Sequence, residues 1–180
     1  MRVVRTRSFI AALVIAVAAA LVYAWPAGKP PAGRGTGAVV VRPVDGDTLV
    51  ARADGRRFYV RLLGIDTPET HRPGTPVECG GPQASRAMAR LAPPGTPVRL
   101  ENDPTQDRVD RYGRMLAYVW LPGGLLLESE QLEAGWATTY VYAGRPVSLF
   151  SRLAKAAARA REARRGVWAE CGGDFHSASG

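Results

Sequence analysis

Three acids, Asp47, Asp66 and Glu69, stand where carboxylates can do chemistry. Two of them lie in the stretch RLLGIDTPET, residues 61–70. There an apolar run of Leu62, Leu63 and Ile65 is headed by Arg61 and discharges into Asp66, Thr67, Pro68 and Glu69. Asp47 follows an Asp45-Gly46 turn and opens an earlier strand. In an antiparallel hairpin the start of one strand lies beside the end of the next, so Asp47 and Asp66 can be neighbours. Two carboxylates that close repel unless a cation lies between them. Hard oxygen donors suit Ca²⁺ or Mg²⁺ rather than zinc, and a backbone carbonyl near Thr67 could add another oxygen. Turn capping accounts for the same aspartates, because Asp-Gly and Asp-Thr-Pro are common turn chemistry. On spacing alone turn capping is the favoured reading.

Arg61 has apolar strand neighbours, so it must reach a barrel end or pair with an anion. Arg114 opens a later strand, after RVDRYG. Two guanidiniums facing carboxylates make salt bridges, or a fork for a phosphate, whose oxygens they match in a bidentate way. Tyr140 and Tyr142, in TTYVYAG, lie two apart and share a face on extended backbone. Beside a basic site they offer stacking for a base or hydroxyls for a phosphate; partial core burial is the plainer alternative. His71 and His176 fit no pattern and receive no role, and no Ser/His/Asp or Cys/His arrangement is present.

These residues need a scaffold. β-rich runs broken by Asp45-Gly46 and Asp54-Gly55 predict strands near 38–44, 47–53 and 56–65. PQASRAMARLA (82–92) reads as a helix with proline in its first turn, stopped by Pro93-Pro94-Gly95. Strands follow at 97–103 and 113–121, then a helix in LLLESEQLEAGW and another over 148–166. The last carries an apolar stripe of Leu149, Leu153, Ala156, Ala160 and Ala163, and a basic face of Arg152, Lys155, Arg159 and Arg161. Five short strands with late helices predict an α+β, mainly β, architecture: a five-stranded OB-type barrel packed by three helices. A helix between the third and fourth strands argues against an immunoglobulin-like sandwich.

The ends differ from this core. Arg2, Arg5 and Arg7 precede seventeen residues, Phe9 to Trp25, without a charge. Residues 1–25 therefore read as a signal peptide or an N-terminal membrane anchor through 9–25, since spanning a bilayer takes roughly 17–25 residues. Either way the folded part is exported, secreted or held outside the cytoplasm. Residues 26–37, PAGKPPAGRGTG, form a Pro/Gly linker, the domain runs over 38–172, and 173–180 is a small, polar tail expected to be mobile. Formal net charge is +8, three of it from the leading arginines. A basic balance favours polyanionic partners. Two cysteines, Cys79 and Cys171, are too few for zinc. In an oxidising compartment they are expected to form a bridge, stabilising by roughly 4–5 kcal/mol in the chain-entropy model; two unpaired thiols are the alternative.

VDGDTL, RLLGIDTPET, GPQAS, DRYGR, LAYV and TTYVY occur in this order. The combination closely resembles the staphylococcal nuclease (thermonuclease) family, from about Val39 to Trp168. The resemblance implies an OB-type barrel with three helices and Ca²⁺-dependent hydrolysis of DNA and RNA that leaves 3′-phosphate ends. By position, Asp47 and Asp66 match the calcium-binding carboxylates, with the Thr67 carbonyl as a further ligand and Asp45 shaping the site. Glu69 matches the general base. Arg61 and Arg114 match the arginines that hold the scissile phosphate. Tyr140 and Tyr142, with Arg111 and Tyr112, match nucleotide-binding residues. The loop THRPGTPVECGG departs from the family's lysine-rich, flexible prototype by its prolines and Cys79, which bears on rate and substrate preference. A non-catalytic nucleic-acid-binding OB module is the competing reading, and a basic surface protein for anionic lipid a third. No protein partner is implied, and a monomer is expected.

Overall fold

The computed structural model describes residues 35–70, 74 and 76–178. The expected signal or anchor segment (1–25) and most of the expected linker lie outside the described residues, as does His71. Among the described residues no helix is long and apolar enough to cross a membrane.

Five strands close a barrel in the order β1-β2-β3-β6-β5. They are β1 (Thr36–Pro43), β2 (Thr48–Ala53), β3 (Arg56–Leu62), β5 (Pro97–Glu101) and β6 (Met115–Trp120). β1 begins inside the expected linker, because Thr36 and Gly37 already pair with Leu100 and Arg99 of β5. Neighbours are antiparallel except β3 and β6, which run parallel with Arg61 opposite Leu116. Phe58, Val60 and Leu62 point into the barrel and are at most 2% exposed. Period-two alternation therefore turns Tyr59 and Arg61 outward. This is why an arginine can sit in an apolar run without breaking the core.

The run from 56 to 65 is not one strand. It stops at Leu62, turns through Leu63-Gly64, and resumes as the two-residue β4 (Ile65–Asp66). β4 pairs with β7 (Thr138–Thr139) outside the barrel. Gly64 makes this corner: its φ is +73°, and a Cβ there would meet Leu153 and Val147 side-chain carbons at 2.7 Å. Only glycine accepts that backbone at so close an approach. The break swings Asp66 and the following loop back over the outward face of β3, above Arg61.

Helix α1 (Gly81–Leu91) enters with proline in its first turn. Helix α2 (Leu127–Glu133) packs on α3 (Phe150–Glu162). The predicted stripe is buried at Leu153, Ala156 and Ala160, whereas Ala163 is exposed at the α3 C-terminus. The predicted helix over 148–166 ends early because Arg164 and Gly166 take positive φ, and a short α4 (Val167–Glu170) follows. The tail was expected to be mobile, but residues 173–178 are packed on the domain. Phe175 is buried edge-to-face on Trp168, with ring centroids 5.2 Å apart. The Ser177 carbonyl accepts the Cys79 N–H at 2.8 Å. Cys79 and Cys171 are joined by the expected disulfide.

Candidate active site

The β2–β3 edge and the β3–β4 corner bring four predicted residues into direct contact. Thr48 pairs with Arg61 across the strands, and the Leu62 N–H donates to the Asp47 carbonyl at 2.9 Å. Hairpin pairing thus places Asp47 beside the end of β3, and the corner brings Asp66 to the same point. Arg61 Nη2 lies 3.0 Å from Asp47 Oδ2 and 2.8 Å from Asp66 Oδ1. Its Nη1 donates to the Leu62 and Ile65 carbonyls at 3.0 and 2.9 Å. The corner's own backbone therefore fixes the guanidinium. The amide and hydroxyl of Thr67 both donate to Asp47 Oδ2, at 3.2 and 3.1 Å. Gly46 permits this approach, since a Cβ there would lie 2.6 Å from Thr67 Oγ1. Gln131 holds the same turn by donating to the Gly46 carbonyl at 2.6 Å.

Arg114 joins through a relay. Its Nη1 donates to Thr48 Oγ1 at 3.4 Å, and Thr48 Oγ1 donates to Asp47 Oδ1 at 3.0 Å. Asp110 aims Arg114, accepting its Nε at 2.7 Å and its backbone N–H at 2.9 Å. The Tyr112 ring carries the Arg111 and Arg114 guanidiniums at 4.8 and 5.4 Å from its centroid. Tyr112, Tyr140 and Tyr142 are 67%, 43% and 55% exposed, which disposes of core burial for these tyrosines. The Tyr140 N–H donates to the Gly64 carbonyl at 2.9 Å, tying the aromatic edge to the corner.

Glu69 lies three residues beyond Asp66, and its backbone N–H donates to Glu78 Oε2 at 2.6 Å. Glu78 Oε2 also faces His176 Nδ1 at 3.3 Å, while His176 Nε2 lies 3.8 Å from Asp66 Oδ2. The tail thereby touches the acidic cluster.

The electrostatics are strained. Burial and the Asp47 charge push the Asp45 carboxyl up to about 7, and the Asp47 N–H that it accepts offsets this only in part. Burial also raises Asp66 despite the opposing Arg61. Two carboxylates thus share one guanidinium, with Asp45 close behind Asp47, in a poorly solvated spot, a surplus of negative charge that a cation would relieve. Among the described residues no three His, Cys, Asp or Glu side chains make a ready cation cage. Asp47 and Asp66 nonetheless fit a hard divalent ion that takes its remaining oxygens from backbone, water and a substrate phosphate.

A family model described as staphylococcal nuclease homologue matches residues 59–170. A thermonuclease of Staphylococcus hyicus is 38% identical over 130 residues, covering 72% of this chain and 73% of that protein. The chain belongs to the staphylococcal nuclease family. A micrococcal nuclease of Shigella flexneri is 33% identical over 139 residues, 73% of this chain and 72% of its own. Endonuclease YncB of Bacillus subtilis is 40% identical over 101 residues, 56% of this chain and 47% of its own. The closed five-strand barrel with its helices is the OB-type arrangement of the staphylococcal nuclease family.

Several residues at this candidate site escape sequence reading. Asp110 and Thr48 act only by orienting Arg114 and Asp47. Glu78 and His176 carry no periodic signal. The proximity of Glu78 to Cys79 was the one available clue, because a disulfide at 79 pins its neighbours.

Proposed function

We propose that this chain is a Ca²⁺-dependent endonuclease that hydrolyses phosphodiester bonds of DNA and RNA and leaves 3′-phosphate ends. The observation that carries the reading is the shared anchorage of Asp47, Asp66 and Arg61 at the corner that leads into Glu69. Asp47 and Asp66, with the Thr67 carbonyl, would hold Ca²⁺, which when bound supplies charge neutralisation and polarises a phosphate oxygen. Thr67 and Thr48 keep the Asp47 carboxylate oriented by three donated hydrogen bonds. Glu69 takes a proton from the attacking water. The water oxygen bonds to phosphorus, the bond from phosphorus to the 5′ oxygen breaks, and that oxygen leaves as a hydroxyl by taking a proton from solvent water, while Glu69 returns its own proton to solvent. Charge builds on the phosphoryl oxygens in the transition state, and Arg61 and Arg114 stabilise it. Both guanidiniums are prefixed, Arg61 by two carbonyls and Arg114 by Asp110, so little reorganisation is required. Tyr112, Tyr140 and Tyr142, with Arg111, offer exposed rings and charge to the nucleotide beside the cleaved bond.

The relatives' names, thermonuclease, micrococcal nuclease and endonuclease, support the reaction class. The basic balance of +8 favours a polyanionic substrate. The domain works outside the cytoplasm, as a monomer, released or anchored through residues 9–25; a disulfide suits that compartment.

The test is Glu69→Gln in a cleavage assay with end-group analysis. A fall of roughly 10²–10⁴-fold with DNA binding retained is expected. Full activity in that variant removes the base role. Binding without cleavage by the wild-type protein would favour the binding-module alternative.

A further inference from the structure

Glu78 is a buried carboxylate that the proposed hydrolysis does not use. It is 6% exposed, although it belongs to a loop at the surface. Burying a carboxylate is costly unless its oxygens are engaged. Here one oxygen accepts the Glu69 N–H at 2.6 Å, and the Glu78 N–H donates to the Glu69 carbonyl at 2.9 Å. Residues 69 and 78 thus exchange two hydrogen bonds across the base of the loop that carries the proposed general base. One of the two comes from a side chain, so it can be altered without touching the backbone.

Glu78 is in turn held from its other side by the C-terminal segment. Glu78 bridges Ala178 in antiparallel fashion, and the neighbouring Cys79 N–H donates to the Ser177 carbonyl at 2.8 Å. His176 Nδ1 lies 3.3 Å from Glu78 Oε2. Phe175 roots the segment on Trp168, and the Cys79–Cys171 disulfide closes it covalently. A polar tail of this composition would not order itself. It is ordered by one aromatic anchor and one covalent bond, and it touches Glu78, the neighbouring Cys79 and, through His176 at 3.8 Å, Asp66.

We propose that Glu78 is a positioning residue for Glu69, and that residues 172–178 form a strap, sewn on by Cys79–Cys171, that holds Glu78 in place. The proposal rests on Glu69 acting as the base. A base displaced by about 1 Å loses on the order of 100-fold in rate, which is the scale of advantage such a brace can provide.

The test uses the full chain, with steady-state cleavage of single-stranded DNA in Ca²⁺ and amide NMR of Glu69. Glu78→Ala is expected to lower kcat by roughly 10- to 100-fold with KM within about 2-fold. Glu78→Gln keeps an acceptor oxygen for the same N–H and is expected to recover kcat to within about 3-fold of wild type. In Glu69→Gln, adding Glu78→Ala should cost nothing further, because the brace acts only through Glu69. A Glu78→Ala protein with full kcat, or an equal loss from Glu78→Ala in both backgrounds, overturns the proposal. If Glu69→Gln is itself fully active, the base reading falls, and the amide decides the brace separately. A downfield, slowly exchanging Glu69 amide should be present in wild type and Glu78→Gln and absent in Glu78→Ala; its survival in Glu78→Ala overturns the brace. Cys79→Ser with Cys171→Ser leaves the Glu78 side chain unaltered and reads the strap by itself. A several-fold fall in kcat with KM unmoved is expected, and an unchanged kcat overturns the strap.

Discussion

Asp103 and Asp66 are the same residue type in the same small domain, and their surroundings treat them oppositely. Asp103 is 3% exposed and receives donors from Tyr118, Thr105 and Ser148. Burial alone would raise its pKa, but those neutral donors outweigh it and hold the carboxyl down at about 2. Through them Asp103 ties the end of β5 to β6 and to the start of α3. Asp66 has one guanidinium, shared with Asp47, and like charges around it, so burial keeps it above the usual carboxylate range. One acid is a fastener whose charge is fully answered. The other belongs to a group of acids whose charge the neighbouring donors answer only in part. A folded chain tolerates such a deficit mainly where function requires it.

The contrast can be broken in either region. The largest effect is expected from Asp66→Asn, which should lower cleavage by roughly 100- to 1,000-fold. Its unfolding free energy should change by less than about 1 kcal/mol, since removing one of several repelling charges offsets the lost ion pair. Urea unfolding beside a cleavage assay checks both; a large stability loss would make Asp66 a fastener as well. Asp103→Ala should show the reverse. It leaves the Ser148 and Thr105 donors unanswered and should cost about 3 kcal/mol in urea, with cleavage per folded molecule within about 2-fold of wild type.

The smallest effect concerns Glu128, a third acid, which is fully buried and accepts the Val119 N–H at 3.1 Å but whose charge its donors do not offset. Burial raises its pKa from 4.5 to about 8. Between those values the folded chain holds a proton that the unfolded chain has lost. Stability from this group therefore falls as pH rises through that window and levels off above it. Glu128→Gln removes the slope. Urea midpoints from pH 5 to pH 9 should show the wild type losing roughly 1 kcal/mol or more relative to the variant as pH rises.

Much of the barrel was legible because alternation and Asp-Gly turns are local signals. Phe58, Val60 and Leu62 announce β3, and Pro82 announces α1. The corner at Gly64 was not, because LLGI reads as continuous strand and the reason for stopping is remote. It is the approach of Leu153 and Val147, which are close only after α3 has docked. The contacts among Arg61, Asp47 and Asp66 were half legible. Hairpin geometry predicted the proximity of the two aspartates, but Asp66 reaches Arg61 through the corner rather than by staying on the strand. Motif resemblance named Glu69 and Arg114, whereas the groups that aim them, Glu78 and Asp110, lie in loops with no periodicity. The packed tail was read as mobile because its composition is small and polar. Its order comes from Phe175 on Trp168 and from a disulfide 92 residues long in sequence separation, neither of which is a local property.

We propose that the acidic cluster at the barrel edge completes itself with Ca²⁺ to cleave nucleic acid. The most direct measurement incubates the purified protein with single-stranded DNA in added Ca²⁺ or in chelator and maps the ends produced. Cleavage that requires Ca²⁺ and leaves 3′-phosphates is the predicted result. Equal cleavage in chelator, or DNA binding without cleavage under either condition, would contradict it.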